Sequence, residues 1–249
     1  MLPSAADIES ATLSAWPALQ TAHDRLWLWR GARGYSKRAN SVHCLDPADG
    51  DDADARLERM AALSRYNDLP PVFRVTPLTS AGALAALDRA GWQVFEPSLV
   101  LARTMPDDDW PVAARTRLHD PRDPAWYEAQ GAMSGYNALT LSILRSILEV
   151  VAHENCGVLA LDEEGNPAAA TLATVANGIG IYLNVVTRPD SRGRGYARAA
   201  MSAALNWSRE AGATSVALQV LAGNAPAVGL YTSLGFAQAY TYHYRKPAE

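Results

Sequence analysis

The stretch 183–197, Leu-Asn-Val-Val-Thr-Arg-Pro-Asp-Ser-Arg-Gly-Arg-Gly-Tyr-Ala, constrains this chain more than any other. An apolar run of strand character ends at Thr187, a turn carrying proline and glycine follows, and helical periodicity then runs over 195–211. A strand delivered through such a turn directly into a helix is an α/β unit, and its geometry suits phosphate. Small residues let the backbone close on a diphosphate, the first N–H groups of a helix lack internal partners, and the helix dipole favours negative charge there. Arg192 and Arg194 can add charge-assisted hydrogen bonds. The turn lacks the Gly-Lys-Ser/Thr ending of a nucleotide P-loop, and it has neither the Gly-x-Gly-x-x-Gly run nor the later acidic residue of a dinucleotide fold.

The surrounding residues extend this unit into an α/β fold with a mixed, mostly antiparallel sheet flanked by helices. Asp123-Pro124 reads as an N-cap and first-turn proline opening a short helix that ends near Gly131 or Gly135. Leu141, Leu144, Ile147, Leu148 and Val151 then fall on one stripe of a second helix. Strands are expected over 157–162, 168–176 and 179–187, the last two joined as a hairpin by Asn177-Gly178. Beyond the helix 195–211 and its Gly212 stop come a strand 215–220, a helix 225–234 and a final strand or two over 236–244.

The proline-bracketed acidic segment 105–111 fits neither periodicity and marks a boundary, giving a lobe over 1–105, a linker over 106–111 and a working domain over 112–249. The first lobe echoes the second. Phe73-Arg-Val-Thr-Pro-Leu, Leu87 and Gly91-Trp92 run beside Leu218-Gln-Val-Leu, Tyr231 and Gly235-Phe236, and the helical stretch 54–66 leading into strand 72–75 parallels the helix leading into 215–220.

A net charge of −4 gives no broad basic field, so nucleic acid and anionic membranes are not expected partners. No apolar run reaches the length of about 18 residues that a membrane helix needs. Cys44 and Cys156 have no zinc-like spacing and the five histidines form no cluster, so no metal is expected and a reducing cytoplasm is the simplest location. Oligomeric state leaves no mark in the sequence.

Asn224 lies 32 residues beyond Arg192, Tyr231 seven beyond that, and Gly235-Phe236 come just after. With 183–197, this ordered set resembles the GCN5-related N-acetyltransferases (GNAT) over 112–249. The resemblance implies that the loop Arg192, Gly193, Arg194, Gly195, Tyr196 and Ala197 wraps the pyrophosphate of acetyl-CoA. It also implies that Val185, Val186 and Thr187 bond the pantetheine, and that Asn224 belongs to the cofactor site. The strand before the loop splays from its neighbour after a β-bulge in that family, so a backbone N–H near Val185 and Val186 is expected to polarise the thioester carbonyl.

Tyr231 takes the place of the general acid, and its chemistry fits independently. A phenol with a reference pKa near 10 stays protonated at neutral pH and can serve a departing thiolate. The usual base, a glutamate, is replaced by Gln219, whose carboxamide cannot usefully take a proton, and Leu183 fills another position where relatives carry an acid. His153, Glu154 and Asp162 are the conceivable substitutes.

In the first half, 27–42 crowds Arg33, Tyr35, Ser36, Arg38 and Asn40 between apolar residues and resembles a segment of two-lobed family members. Two roles are open for this segment: Arg38 and Asn40 touch the acceptor, or the stretch is a polar strand or hairpin that joins the two lobes. This lobe has no counterpart of 192–197 and carries Leu87 where Tyr231 would fall, so it is a smaller, degenerate GNAT-like lobe. The implied function is direct transfer of acetyl from acetyl-CoA to a primary amine, that of a small molecule. A non-catalytic acyl-CoA sensor and an acetyltransferase of protein or peptide amines are the alternatives.

Overall fold

Residues 2–248 are described by a computed structural model. The first half runs α1 (Ala5–Ala15), β1 (Gln20–Asp24), β2 (Trp27–Gly31), β3 (Val42–Cys44), α2 (Ala53–Tyr66), β4 (Phe73–Val75), α3 (Ala81–Arg89) and β5 (Gln93–Thr104). The second runs β6 (Thr116–His119), α4 (Pro124–Ser134), α5 (Ala138–Glu149), β7 (Asn155–Leu161), β8 (Pro167–Ala176), β9 (Ile179–Thr187), α6 (Tyr196–Glu210), β10 (Ser215–Leu221), α7 (Ala225–Ser233) and β11 (Ala237–Lys246).

Local chemistry accounts for several boundaries. Ser4 and Asp7 form a reciprocal capping box at α1, and Asp123 caps α4 with Pro124 in its first turn. Gly135, at φ 70°, stops α4. Asn177 and Gly178 both take positive φ, 53° and 73°, which gives the turn the twist that folds β9 back antiparallel on β8.

All strands among the described residues belong to one sheet of 11, ordered β1-β2-β3-β4-β11-β5-β10-β9-β8-β7-β6. The pairs β3–β4 and β9–β10 are parallel and the others antiparallel. This order contains the internal repeat in topological form, because the unit β4-α3-β5 mirrors β10-α7-β11 and the two exchange their last strands. Strand β5 pairs with β10 and β11, while β11 pairs with β4 and β5. The final strand or two expected over 236–244 is one strand, β11, with register shifts against β5 between 238 and 240 and between 242 and 244.

The segment 106–111 is strapped to α6. The Trp110 N–H donates to Asn206 Oδ1 at 2.8 Å, Asn206 Nδ2 donates to the Trp110 carbonyl at 3.0 Å, and Arg209 pairs with Asp109. Three apolar clusters hold the layers together. Met201, Ala204 and Leu205 of α6 cover β7 and β8; Ile8 of α1 and Trp126 of α4 cover β8 and β9 from the other face, in one cluster with Leu144 and Ile147 of α5; Trp27, Leu57, Phe73 and Leu87 form the core of the first lobe. Helix α1 belongs to the first half in sequence yet packs on β8 and β9.

Candidate active site

Strand β10 pairs with β9 only from Ser215 to Leu218 and follows β5 alone from Gln219 onward. Across β9, the register against β8 shifts between Ala170 and Leu172, where Asn184 takes a φ of 52°. The extra residue of this bulge bends β9 away from β10. A cleft of about 1050 Å³ opens between them, with Val185, Val186 and Thr187 on one wall and Gln219, Val220 and Leu221 on the other. Val186 and Thr187 still pair with Ala170 and Ala169 on the β8 side, so their backbone edge facing the diverging β10 is open.

The cleft runs to the start of α6. Gly193 and Gly195 have φ of 73° and 85°, and a side-chain carbon added at either would meet nothing within 4 Å. Gly195 caps α6 without a side chain, which leaves the N–H groups of Tyr196, Ala197 and Arg198 without intrahelical partners above open space. That arrangement fits a diphosphate. Arg192 lines the cleft and makes no hydrogen bond or ion pair among the described residues, and Arg198, a lining residue outside the expected set, donates to Ser233 at 2.5 Å. Arg194 does not join them. It turns toward Glu163 at 3.5 Å and lies over the Tyr196 ring, outside the cleft lining, so the expected second arginine of the loop is replaced by Arg198 from the first turn of the helix.

Tyr231 projects from α7 into the same cleft, its ring edge-on to Phe236 at 6.2 Å between centroids. Its hydroxyl makes no hydrogen bond among the described residues. Burial pushes its pKa up to about 12, partly opposed by the positive charge of Arg38. Asn224 lines the cleft too, but its Oδ1 accepts from the Ala227 N–H at 3.3 Å and caps α7, the helix that carries Tyr231.

The far wall comes from the first half. Tyr35 donates its hydroxyl to Tyr136 at 3.0 Å and accepts from Asn184 Nδ2 at 3.4 Å, tying the segment 35–38 to the bulge of β9. Arg38 lines the cleft, with its Nε buried and unpartnered. Asn40 does not reach the cleft. Its Oδ1 accepts from the N–H groups of Ala32 and Gly34 at 2.7 and 3.0 Å and its Nδ2 donates to the Ser36 carbonyl, so this carboxamide braces the loop beneath Arg38 and leaves no donor directed at an acceptor.

Glu96 is the single acid among the described lining residues. It sits at φ 49° beside Pro97, where β5 shifts register against β11, and pairs with Lys37 at 2.8 Å. Gln219 is engaged by Arg74 Nη1 at 3.2 Å and by Thr12 at 3.5 Å. His153 and Glu154 line a separate depression with His119, and Asp162 is held by Arg188, whose hydrogen bond lowers its carboxyl below the usual range.

Asn184, Glu96 and Tyr136 lie outside the set of site residues expected from the sequence. Two of these carried signals: an asparagine inside an apolar strand tolerates positive φ, and Glu96-Pro97 interrupts a strand that otherwise has no place for proline. Tyr136 carried none, since its position depends on how α4 and α5 meet the first lobe.

Over residues 5–245 the chain matches the family described as "Probable histone acetyltransferase Rv0428c C-terminal". The uncharacterized N-acetyltransferase YobR of Bacillus subtilis (strain 168) is 24% identical over 242 residues, 96% of each chain. Among solved structures, a GCN5-related N-acetyltransferase from Kribbella flavida superposes with a TM-score of 0.74 at 17% identity, covering 98% of this chain and 96% of that one. The tandem GNAT protein from the clavulanic acid biosynthesis pathway gives 0.63 at 15% identity, covering 84% of this chain and 76% of its own.

Proposed function

Because the chain belongs to the Rv0428c C-terminal acetyltransferase family and has the fold of the GCN5-related N-acetyltransferases, we propose that it moves acetyl directly from acetyl-CoA to a small-molecule primary amine. It is an acyltransferase of the GNAT kind. The observation that carries the finer reading is the convergence in one cleft of three features: the diverging edge of β9, the uncapped start of α6 and the hydroxyl of Tyr231.

In this reading the N–H groups at the start of α6, with Arg192 and Arg198, hold the diphosphate. The open edge of β9 around Val185 and Val186 bonds the pantetheine and aims one N–H at the thioester oxygen as negative charge grows there. Tyr231 remains protonated across the physiological range and gives its proton to the sulfur as the C–S bond breaks and the C–N bond forms. The proton shed by the amine returns to Tyr231 through water. Asn224 holds Tyr231 in place by capping its helix.

The charge of the cleft supports a small acceptor over a histone-like tail. With Arg192 and Arg198 taken by the diphosphate and Lys37 paired with Glu96, Arg38 leaves the acceptor end net positive, which disfavours a lysine-rich peptide. The first lobe also walls the acceptor end with Tyr35, Ser36 and Arg38. The buried free thiols Cys44 and Cys156 suit the reducing cytoplasm, where acetyl-CoA is made and used.

Thiol release from acetyl-CoA across amino acids, amino sugars, polyamines, aminoglycosides and short peptides tests the reading. Turnover with a small amine is expected. Tight acetyl-CoA binding without release in any mixture would leave the sensor alternative standing, and turnover confined to peptides would favour protein acetylation.

A further inference from the structure

We infer that the acceptor carries a carboxylate as well as its amine, and that Arg38 binds this carboxylate at the first-lobe wall of the cleft. The inference rests on the acetyl-transfer reading above for the role of the amine, but the carboxylate site stands on its own observation: a guanidinium in a cleft with no partner.

The fully buried arginines Arg30, Arg56 and Arg74 are each ion-paired or hydrogen-bonded, and Arg245, whose Nε is sealed like that of Arg38, pairs with Asp88 through Nη1. Arg56 meets Asp24 and Asp49, Arg74 meets Glu9, and Arg30 donates to the carbonyls of Arg38 and Trp16. Arg38 makes no side-chain hydrogen bond or ion pair among the described residues, although its Nε is sealed from solvent. Removing a donor on a charged group from water without replacing its acceptor is costly, and an anionic ligand would offset that cost. Glu96 on the same cleft is already paired with Lys37 at 2.8 Å. The aromatic neighbours cannot supply charge. Burial holds the phenols of Tyr35, Tyr231 and Tyr244 above their usual value, so all three are neutral where Arg38 is positive.

Position separates this charge from the one expected for the diphosphate. Arg192 is the other unpartnered guanidinium of the cleft, and it stands at the start of α6, where the helix terminus supplies the remaining donors. Arg38 comes from the opposite lobe and acts electrostatically on Tyr231, at the reacting end. An anion there belongs to the acceptor. The planar fork of a guanidinium matches a carboxylate in two parallel hydrogen bonds, which would fix an amino acid by one end and leave its amine free to swing toward the thioester.

The test uses the full-length protein with matched acceptors, each amino acid against its own carboxamide, read by thiol release. The carboxamide has the less basic amine and is the easier nucleophile at neutral pH, so a preference for the acid reports recognition. We expect kcat/KM at least tenfold higher for the acid. Arg38→Gln should raise KM for the acid at least tenfold and erase the preference, Arg38→Lys should restore part of it, and acetyl-CoA affinity by calorimetry should stay unchanged in both. Circular dichroism checks that each variant is folded. Three results would overturn the inference: carboxamides used as well as acids, a phosphonate or sulfonate analogue preferred to the carboxylate, or Arg38→Gln slowing acid and carboxamide alike. The last would mean that Arg38 acts on Tyr231. If no amine releases thiol, calorimetry of the same acids and carboxamides with the wild type and Arg38→Gln still decides. Selective binding of acids, lost in the variant, keeps the carboxylate site while removing the transfer reading, and absence of such binding removes the site.

Discussion

Tyr231 is the residue on which the proposed chemistry turns, and its surroundings make two expectations quantitative. Tyr231→Phe removes one oxygen from a buried ring that packs on Phe236, so the fold should tolerate it. A positioned general acid contributes roughly a hundredfold or more, and its bond to the departing thiolate exists chiefly in the transition state. We therefore expect kcat to fall by about that factor in single-turnover measurements with acetyl-CoA affinity little changed, and a near-normal single-turnover rate would remove Tyr231 from the mechanism. The pH profile gives a second check. The acid acts while protonated, and with burial holding it at about 12 the rate should rise with amine deprotonation and show no loss from Tyr231 up to about pH 10. His43 offers a parallel test of stability. Burial first, then the charges of Arg30 and Arg74, hold its imidazole well below the usual range. The unfolded chain takes up that proton near pH 6.5 and the folded one does not, so the contribution is complete above pH 6.5 and is lost as pH falls below it, by about 1.4 kcal/mol per unit. Chemical denaturation at pH 7 and pH 5 should show a smaller drop in His43→Gln than in the wild type.

At the scale of elements, two departures from regular backbone shape the cleft. Gly195 starts α6 at φ 85° with open space where a side chain would stand. Gly195→Glu fits sterically, adds a left-handed penalty of roughly 1–2 kcal/mol, and sets a negative charge where the diphosphate is proposed to lie. A folded variant without measurable acetyl-CoA binding is expected, and retained micromolar affinity would make the loop a connection only. The bulge at Asn184 is the second departure. Asn184→Gly preserves a positive φ and should keep melting temperature and acyl-CoA affinity close to the wild type, whereas the β-branched side chain of Asn184→Val resists that conformation. We expect Asn184→Val to melt a few degrees lower and to bind acetyl-CoA more weakly, because straightening β9 would close the gap from β10.

The exchanged strands set the behaviour of the whole molecule. Residues 112–249 include every element of the working domain proposed from sequence, yet β10 has β5 as its antiparallel neighbour and β11 lies between β4 and β5, so both lean on the first half. Expressed alone, 106–249 leaves β10 and β11 with unpaired edges and β8 and β9 without the cover of α1. That fragment should aggregate or stay inactive, and co-expression with 1–105 should restore a complex that releases thiol from acetyl-CoA. A fragment that is folded and active by itself would contradict this dependence.

The sequence by itself determined the parts whose signals are local. The Asp123-Pro124 cap, the Asn177-Gly178 turn, the glycines before α6 and the placement of α7 all depend on conformational preferences of a few adjacent residues, and each lies where those preferences put it. The cleft lining expected from the family motif, Val185 to Thr187, Arg192, Gly195 and Tyr231, followed because a motif keeps its residues at fixed spacing along one strand, turn and helix. Only the tertiary structure decided the rest. Strand β5 crosses to the other half, Glu96 and Tyr136 enter the cleft, Asn40 and Gln219 become braces, and Arg194 gives way to Arg198. The strand exchange and the bonds of Gln219 join segments more than a hundred residues apart, and even the nearer partners of Asn40 and Arg194 are set by how the folded loops lie, which no local preference encodes.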